Sequence, residues 1–358
     1  VDIVRGLSRS EENHSTNGMD YDATTNTLYV MSGGHANRGA PSNNLSGTPE
    51  YWTSAAMLAV DLNMIESMPI YTDLRTGHQF VYDLPTLDDP STDRDDIDNS
   101  DPDFPYDVGH PLYNETIDFG DPFGGNNGLN QAFTVPGGPV QIYSPGYRNA
   151  YDVVFTTTGH LFTYDNGPNG GWGGMAIAYD TNDNPLIYNT DGDPEFDSQD
   201  PFDFDNPNHA YCTNEYQNLN LGFGSHGDTL TFVGYDGYYG GHPAPIRAFP
   251  RDAGIINYVQ QGGDWLQVGP VYEFEDLLPS YVTDQLTTDG IALDVAFPDN
   301  RIECDYSANF GSDNAGKLAN VGSSTNGIDE YTASNFNGAM QGNILSASFN
   351  GNIYRYDV

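Results

Sequence analysis

Short runs of alternating apolar and polar residues, separated by tight polar turns, dominate the hydrophobic pattern of this chain. The clearest runs pair up around turns of the TTN, TTG and FNG type, at residues 18–34, 151–167 and 342–358. Because such alternation is typical of a half-buried β-strand, each pair predicts a β-hairpin of two short strands. Weaker copies of the same pattern lie at 225–241 and 290–306.

Helical periodicity is scarce, so the predicted fold class is all-β. The best helix candidate, SAAMLAVDLNMIESM at 54–68, fits equally well a strand followed by a turn. Hairpins repeated at wide, irregular spacing favour a single β-propeller domain with long loops over residues 1–358, whole or in part within these residues. A β-sandwich, or two unrelated β domains, is the alternative that the pattern leaves open.

Two long acidic insertions interrupt the hairpins, at about 84–135 and 180–220. Both are rich in aspartate and proline and lack periodicity, which predicts loops. The second contains NTDGDPEFD, in which Asp191 and Asp193 are spaced like ligands of a calcium-binding loop. The alternative is a solvated acidic loop that binds no metal.

The chain as a whole is strongly acidic. Asp and Glu number 51 against 11 Lys and Arg, which gives a net charge of −40 at pH 7. Phosphate binding needs a basic face, so nucleic acid and anionic membrane surfaces are excluded as partners. No apolar run approaches the ~18 residues that a membrane span needs, so no membrane insertion is expected. This density of carboxylates is tolerable in salty water or with bound cations, which predicts a secreted, extracellular, cell-surface or periplasmic protein.

Cysteine usage adds little to this prediction. Cys212 and Cys304 are too few for a disulfide scaffold. They can form one bridge in an oxidising compartment, and two unpaired thiols are the alternative.

Two histidines lie in segments that could carry chemistry. His14 comes just before a predicted strand in ENHSTNGMDYD, and His242 follows a glycine-rich turn in GYYGGHPAP. Histidine is the most common general base, because its ordinary pKa is close to neutral. An isolated histidine in a β protein is nevertheless more often a loop or packing residue, and that reading also stays open.

The most informative segment runs from 144 to 174. Arg148 and Asn149 place a guanidinium fork and an amide directly before a strand, where both could bind a polar ligand. After the hairpin comes DNGPNGG, in which the Asp165 carboxylate and the backbone carbonyls could bind a hard cation such as calcium.

The run GYRNAYDVVFTTTGHLFTYDNGPN resembles the signature of the soluble quinoprotein glucose dehydrogenases, the glucose/sorbosone dehydrogenase-like propellers. The NHS segment around His14 resembles the catalytic-histidine segment of that family. The closing residues 327–358 resemble its late blade, and GYYGGHP resembles its NYGWP turn, with His242 where the family has Trp.

This resemblance implies a six-bladed propeller that holds pyrroloquinoline quinone and calcium at its axis and oxidises an aldose at C1. His14 would be the general base that takes the proton of the sugar hydroxyl. Arg148 and Asn149 would lie against the quinone, and His242 would also contact the cofactor. Gly167 and Pro168 would offer backbone carbonyls to the calcium ion.

The alternative function is a non-catalytic, calcium-stabilised binding or structural module of a large extracellular protein or assembly, with other surface domains or subunits as partners. The quinone carries three carboxylates, yet Lys317 is the only lysine of the chain and lies outside the segments that should bind them, where Thr332 and Asn350 stand instead. Aromatic turns such as GYDGYYGG and GGWGG could form a platform for a carbohydrate or another small polar ligand. These rings could equally fill the packing between sheets.

Overall fold

The computed structural model describes the following residues, and every structural statement below concerns them: 1–8, 14–40, 50–72, 77–84, 134–172, 176–179, 211–213, 227–248, 258–261, 264–267, 303, 316–322 and 324–358. Most of the predicted insertions at 84–135 and 180–220, and most of the weak hairpin copy at 290–306, lie outside this part of the chain. The same holds for Cys304.

The described elements are mostly strands. In chain order the strands are β1 (Asp2–Arg5), β2 (Thr16–Asp22), β3 (Thr27–Ser32), β4 (Ala56–Asp61), β5 (Tyr71–Thr72), β6 (Gln79–Asp83), β7 (Val140–Pro145), β8 (Ala150–Phe155), β9 (Leu161–Asp165), β10 (Ile177–Tyr179), β11 (Tyr211–Thr213), β12 (Asp228–Val233), β13 (Tyr258–Gln261), β14 (Asp264–Gln267), β15 (Lys317–Val321), β16 (Thr325–Glu330), β17 (Ile344–Ser348) and β18 (Ile353–Tyr356). The helices are α1 (Leu62–Glu66) and α2 (Pro245–Ala248), and a 3-10 turn covers Phe336–Gly338. The described residues contain no helix long and apolar enough to cross a membrane.

Three antiparallel sheets of similar build form the centre of the fold. Sheet I has the order β2-β3-β4-β7, sheet II has the order β8-β9-β12-β15, and sheet III has the order β16-β17-β18. Neighbouring strands within each sheet follow the order of the chain, as in a meander. Smaller sheets join β1, β6 and β5, with β1 parallel to β6, and pair β10 with β11 and β13 with β14. The all-β fold class is therefore confirmed, while closure of the sheets into a ring is not seen among the described residues.

The three clearest predicted hairpins are confirmed as β2-β3, β8-β9 and β17-β18. Their turns contain Asn26, Gly159 and Gly351, all with positive φ. A left-handed turn residue matches the right-handed twist of the flanking strands, which explains why the pattern was readable from short segments. The 54–68 segment forms β4 followed by α1, and the Asp61 side chain caps the helix by accepting a hydrogen bond from the Met64 N–H.

The weak copy at 225–241 contains one strand instead of two. Residues 228–233 form β12, which pairs with β9 and β15. The following residues turn back along the end of β7, where the Gly237 N–H donates to the Tyr143 carbonyl and the Gly240 N–H to the Pro145 carbonyl. The prediction of a second strand in this copy was thus wrong. Its backbone N–H groups bond to the end of β7 in a turn, and its rings, Tyr238 and Tyr239, are buried.

Each of the two four-stranded sheets is covered on both faces. On sheet I, Met31 faces a core shared with Val153 of sheet II, while Val30 faces a second core formed with β6 and α1. On sheet II, Val154 faces a third core that contains Ile328 and Ile344 of sheet III. Successive side chains of a strand point to opposite faces, so the three sheets lie face to face with sheet II in the middle.

The first strands of the three sheets pack side by side and share a short sequence repeat, Asn-Gly/Ala-apolar-Asp. Its copies are Asn17–Asp20, Asn149–Asp152 and Asn326–Asp329. In each copy the pairing with the next strand shifts register at the repeat, as a β-bulge does. The repeat therefore marks the same structural position in all three sheets.

The aspartate of the repeat bonds one sheet to the next. Asp20 of β2 accepts a hydrogen bond from the Phe155 N–H of β8 at 2.6 Å, and Asp152 of β8 accepts one from the Ile328 N–H of β16 at 3.2 Å. These bonds fix the spacing of the first strands. The residues at the N-terminal ends of β8 and β16, and just before β2, consequently converge.

Candidate functional site

A cavity of about 600 Å³ opens where these strand ends converge. This volume falls in the range of small-molecule binding sites. The lining side chains are mostly amides and aromatic rings, with few charges. The cavity is lined by His14, Arg148, Asn149, Tyr151, Asn166, Gly167, Asn169, Trp172, Gly227, Asp228, Gly322, Ser324, Asn326 and Phe349.

His14 is buried in the wall of the cavity, where its ring is held in one orientation. Its Nδ1 donates a hydrogen bond to the Gly34 carbonyl at 2.6 Å. Burial and the positive charge of Arg148 lower the pKa of His14 to about 3. The ring is therefore neutral near pH 7, and with the proton on Nδ1 its lone pair lies on Nε2.

Arg148 is almost fully buried and is held by its neighbours. Its Nε donates to the Asn37 Oδ1 at 2.9 Å, and its backbone carbonyl accepts a hydrogen bond from the Gly34 N–H at 2.7 Å. Among the described lining residues, Arg148 is the only cation and Asp228 is the only carboxylate. The formal charges of the described wall thus cancel.

Asn37 lies outside the cavity and positions two of its lining residues. Besides Arg148, the Asn37 side chain bonds both the carbonyl and the N–H of Asn169. The Asn37 Nδ2 donates to the Asn169 carbonyl at 2.9 Å, and the Asn169 N–H donates to the Asn37 Oδ1 at 3.0 Å. One buried amide thus fixes the guanidinium and the turn after β9 relative to each other.

Two aspartates hold the ends of that turn. Asp165 accepts hydrogen bonds from the N–H groups of Arg148 and Asn149, at 3.2 and 2.8 Å. Asp228 lines the cavity and accepts bonds from the N–H groups of Gly167 and Thr325. Burial raises the pKa of both carboxyl groups.

The predicted calcium ligands are only partly brought together. Gly167 lines the cavity, Pro168 is buried next to it, and the Asp165 carboxylate is occupied with backbone N–H groups. Within the described ranges no three His, Cys, Asp or Glu side chains gather in a way that could hold a metal ion. Asp191 and Asp193 lie outside the described residues, so calcium binding there stays a prediction.

His242 does not line this cavity. It is buried, and its Nε2 donates to the Glu50 carboxylate at 2.7 Å. Glu50 also accepts bonds from the His35 and Ala36 N–H groups and from the Ser54 hydroxyl. Burial alone would raise the pKa of Glu50, but its interactions with His242 and these donors lower the pKa to about 2. The structure thus places His242 in a buried hydrogen-bonded cluster behind the wall.

Among the residues singled out from the sequence, the cavity brings together His14, Arg148, Asn149 and Gly167. Sequence reasoning missed Asn37, Asp228 and Asn326. The Asn-Gly/Ala-apolar-Asp repeat was a usable signal for one of them, because it aligns Asn326 with Asn149. Asn37 and Asp228 act through contacts with residues more than 60 positions away, which no local pattern reveals.

No protein-family model matches the chain, and neither a curated protein nor a solved structure matches it significantly. The resemblance to the quinoprotein glucose dehydrogenases therefore remains an expectation that rests on the sequence segments quoted above.

Acid should destabilise the protein through its buried histidines, and His35 allows a direct test. Burial lowers the pKa of His35 to about 4, against the attraction of Glu50. The unfolded chain takes up a proton near pH 6.5 and the folded chain only near pH 4. This cost is absent above about pH 6.5 and grows as the pH falls, by roughly 1 kcal/mol per pH unit.

The variant His35→Phe should remove this dependence. It keeps an aromatic ring against Tyr51, whose ring centroid lies 4.3 Å from that of His35, but it cannot titrate. The free energy of unfolding in urea, measured between pH 7.5 and 4.5, should fall less steeply for the variant. Asp165 and Asp228, with raised pKa values, act in the opposite direction but are present in both proteins. Parallel curves for the two proteins would show that His35 is not responsible.

Proposed function

We propose that this protein is a propeller-type binding domain whose cavity holds a neutral, polyhydroxylated ligand, namely a sugar. The observation that carries the proposal is the composition of the cavity wall. The wall contains one guanidinium and one carboxylate, whose formal charges balance, together with four amide side chains and three aromatic rings. Hydrogen-bonding side chains next to aromatic rings suit a small ligand that carries both hydroxyl groups and C–H faces.

The propeller arrangement is supported by the way the sheets are stacked. Sheets I, II and III lie face to face, their first strands are neighbours, and each first strand carries the same bulge and the same repeat. In propellers, sheets of this kind surround a central channel.

Amide side chains suit hydroxyl groups particularly well. An asparagine offers both a donor and an acceptor, and a sugar hydroxyl can take either role. The four amides that line the cavity are Asn149, Asn166, Asn169 and Asn326. Because they carry no charge, they can be desolvated by a neutral ligand at lower cost than ionic groups.

His14 is better suited to accept a hydrogen bond than to remove a proton. A general base works best when its pKa is near the working pH, and the pKa of His14 is about 3. Its Nε2 lone pair can nevertheless receive a hydrogen bond from a hydroxyl group. This argument favours binding over base catalysis.

Pyrroloquinoline quinone does not fit the described wall. The quinone has three carboxylates, whereas the wall offers one guanidinium, already bonded to Asn37, and places the Asp228 carboxylate nearby. The convergence of His14, Arg148, Asn149 and Gly167 is the observation that favours the quinone-dependent dehydrogenase as a second candidate. We infer no reaction step through the quinone, and we include it as an arm of the test.

Calorimetric titration with glucose, mannose and N-acetylglucosamine tests the proposal. At least one of these sugars should bind, and Asn169→Ala should weaken that binding roughly fivefold to thirtyfold, because it removes one or two hydrogen bonds. Asn63→Ala is the matched control, because Asn63 is exposed and bonds to Asn26 and Thr25 at the far end of sheet I. Titration with the quinone and excess calcium is the competing arm. Binding of the quinone with no binding of any sugar would overturn the proposal.

A further inference from the structure

Three aromatic rings line the cavity, and two of them are strongly exposed. Phe349 is 80% exposed and Tyr151 is 46% exposed, whereas Trp172 is partly buried. They come from three separate segments: the β17-β18 turn, the bulge of β8 and the residues after β9. Large apolar rings in water are not favourable in themselves, and their grouping around one cavity points to an interaction site.

The Phe349 ring is carried by a turn that several hydrogen bonds close. The Phe349 N–H donates to the Ser324 carbonyl at 3.1 Å, and the Gly351 N–H closes the turn by donating to the Ser348 carbonyl at 3.0 Å. Asn350 adds a bond from its Nδ2 to the Tyr354 hydroxyl at 2.7 Å. The backbone that carries the ring is therefore already fixed, so ligand binding costs little further backbone entropy there.

We propose that the cavity takes one unit of an oligosaccharide chain and that Phe349 and Tyr151 bind the next unit outside the mouth. This inference rests on the proposed function and extends it from a free sugar to a neutral sugar chain. The face of an aromatic ring is electronegative and packs against the polarised C–H groups of a sugar ring. The net charge of −40 on the protein would repel an acidic polysaccharide. The oligosaccharide that we propose as the ligand is therefore a neutral one.

The rings differ from other exposed aromatics of the molecule in position rather than in exposure. Phe336 is 68% exposed and also belongs to the segment of sheet III, yet it does not line the cavity. This residue provides a matched control, because its removal deletes a similar amount of exposed apolar surface away from the cavity.

The experiment compares monosaccharides with trisaccharides by calorimetry. The probes are glucose, mannose and N-acetylglucosamine, each with its trisaccharides: cellotriose and maltotriose, mannotriose, and chitotriose. At least one trisaccharide should bind ten times more tightly, or better, than its monosaccharide. Phe349→Ala should remove most of this difference by weakening the trisaccharide far more than the monosaccharide, and Phe336→Ala should leave the difference unchanged. Circular dichroism and thermal unfolding verify that both variants are folded.

The possible failures can be told apart. If a monosaccharide binds and no trisaccharide binds more tightly, the extended site is wrong while the proposed function stands. If Phe349→Ala weakens both ligands equally, the ring belongs to the primary site and the extended site is likewise wrong. If no sugar of either length binds, the proposed function itself fails.

Discussion

Replacing Arg247 with methionine should destabilise the protein by about 3–5 kcal/mol, because it removes the guanidinium that lies against a buried glutamate, Glu303. The Arg247 guanidinium and the Glu303 carboxylate are both fully buried and lie 2.7 Å apart. The guanidinium also donates to the backbone carbonyls of Trp52 and Ser54, among others in the same segment. One side chain thus satisfies a carboxylate and several carbonyl groups that no water can reach.

The measurement is the free energy of unfolding in urea, with an unchanged m-value as the sign that the unfolded state is the same. Arg5→Met is the matched control. Arg5 also bonds a carboxylate, that of Asp83 at 2.6 Å, but these side chains are 25% and 40% exposed. Such a surface pair contributes little, so the control should lose about 1 kcal/mol.

A double variant separates the buried charge from the lost carbonyl bonds. Arg247→Met combined with Glu303→Leu removes both charges, so part of the stability should return. The return should be incomplete, because the Trp52 and Ser54 carbonyls still lose the hydrogen bonds that Arg247 donates to them. A loss below about 1 kcal/mol for Arg247→Met alone would contradict the central role given to this cluster.

The hairpins could be predicted because their cause is local. A turn residue with positive φ and the alternation on either side lie within 17 residues in each of 18–34, 151–167 and 342–358. The pairing of β9 with β12 and of β12 with β15 could not be predicted in the same way. These strands lie more than 60 residues apart in the chain, and the intervening residues carry no register information.

The candidate site was predicted in part, and the difference has a physical cause. His14, Arg148 and Asn149 stand next to predicted strands, and a histidine, an arginine or an asparagine at such a position indicates a candidate site residue. Asn37 and Glu50 lie at the two ends of a stretch of sequence without hydrophobic periodicity, and their roles exist only through distant partners. Glu50 and its partner His242 are 192 residues apart in the chain. The sequence therefore indicates the histidine but not the carboxylate that binds it, and the predicted contact of His242 with a cofactor rests on the family resemblance.

The side-by-side packing of the first strands yields the second large prediction, at Gly18 of β2. A Cβ atom built on Gly18 would lie 2.8 Å from the Cα of Asp152 in β8, and closer still to the carboxylate of Asp152. Asp152 cannot simply rotate away, because its carboxylate accepts the Ile328 N–H of the third sheet. Gly18→Ala should therefore push sheets I and II apart and destabilise the protein by about 3 kcal/mol, at the upper end of the usual cost of overpacking.

The repeat itself supplies the matched control. Gly327 occupies the same place in the third copy, but a Cβ atom built there meets nothing within 4 Å. Gly327→Ala should thus be neutral or stabilise the protein by up to about 1 kcal/mol, because alanine restricts the unfolded chain. Thermal and urea unfolding of the two variants measure the difference. If both substitutions had the same effect, β2 and β8 would not be in direct contact at the repeat, and the stacking of sheets that supports the propeller would have to be abandoned.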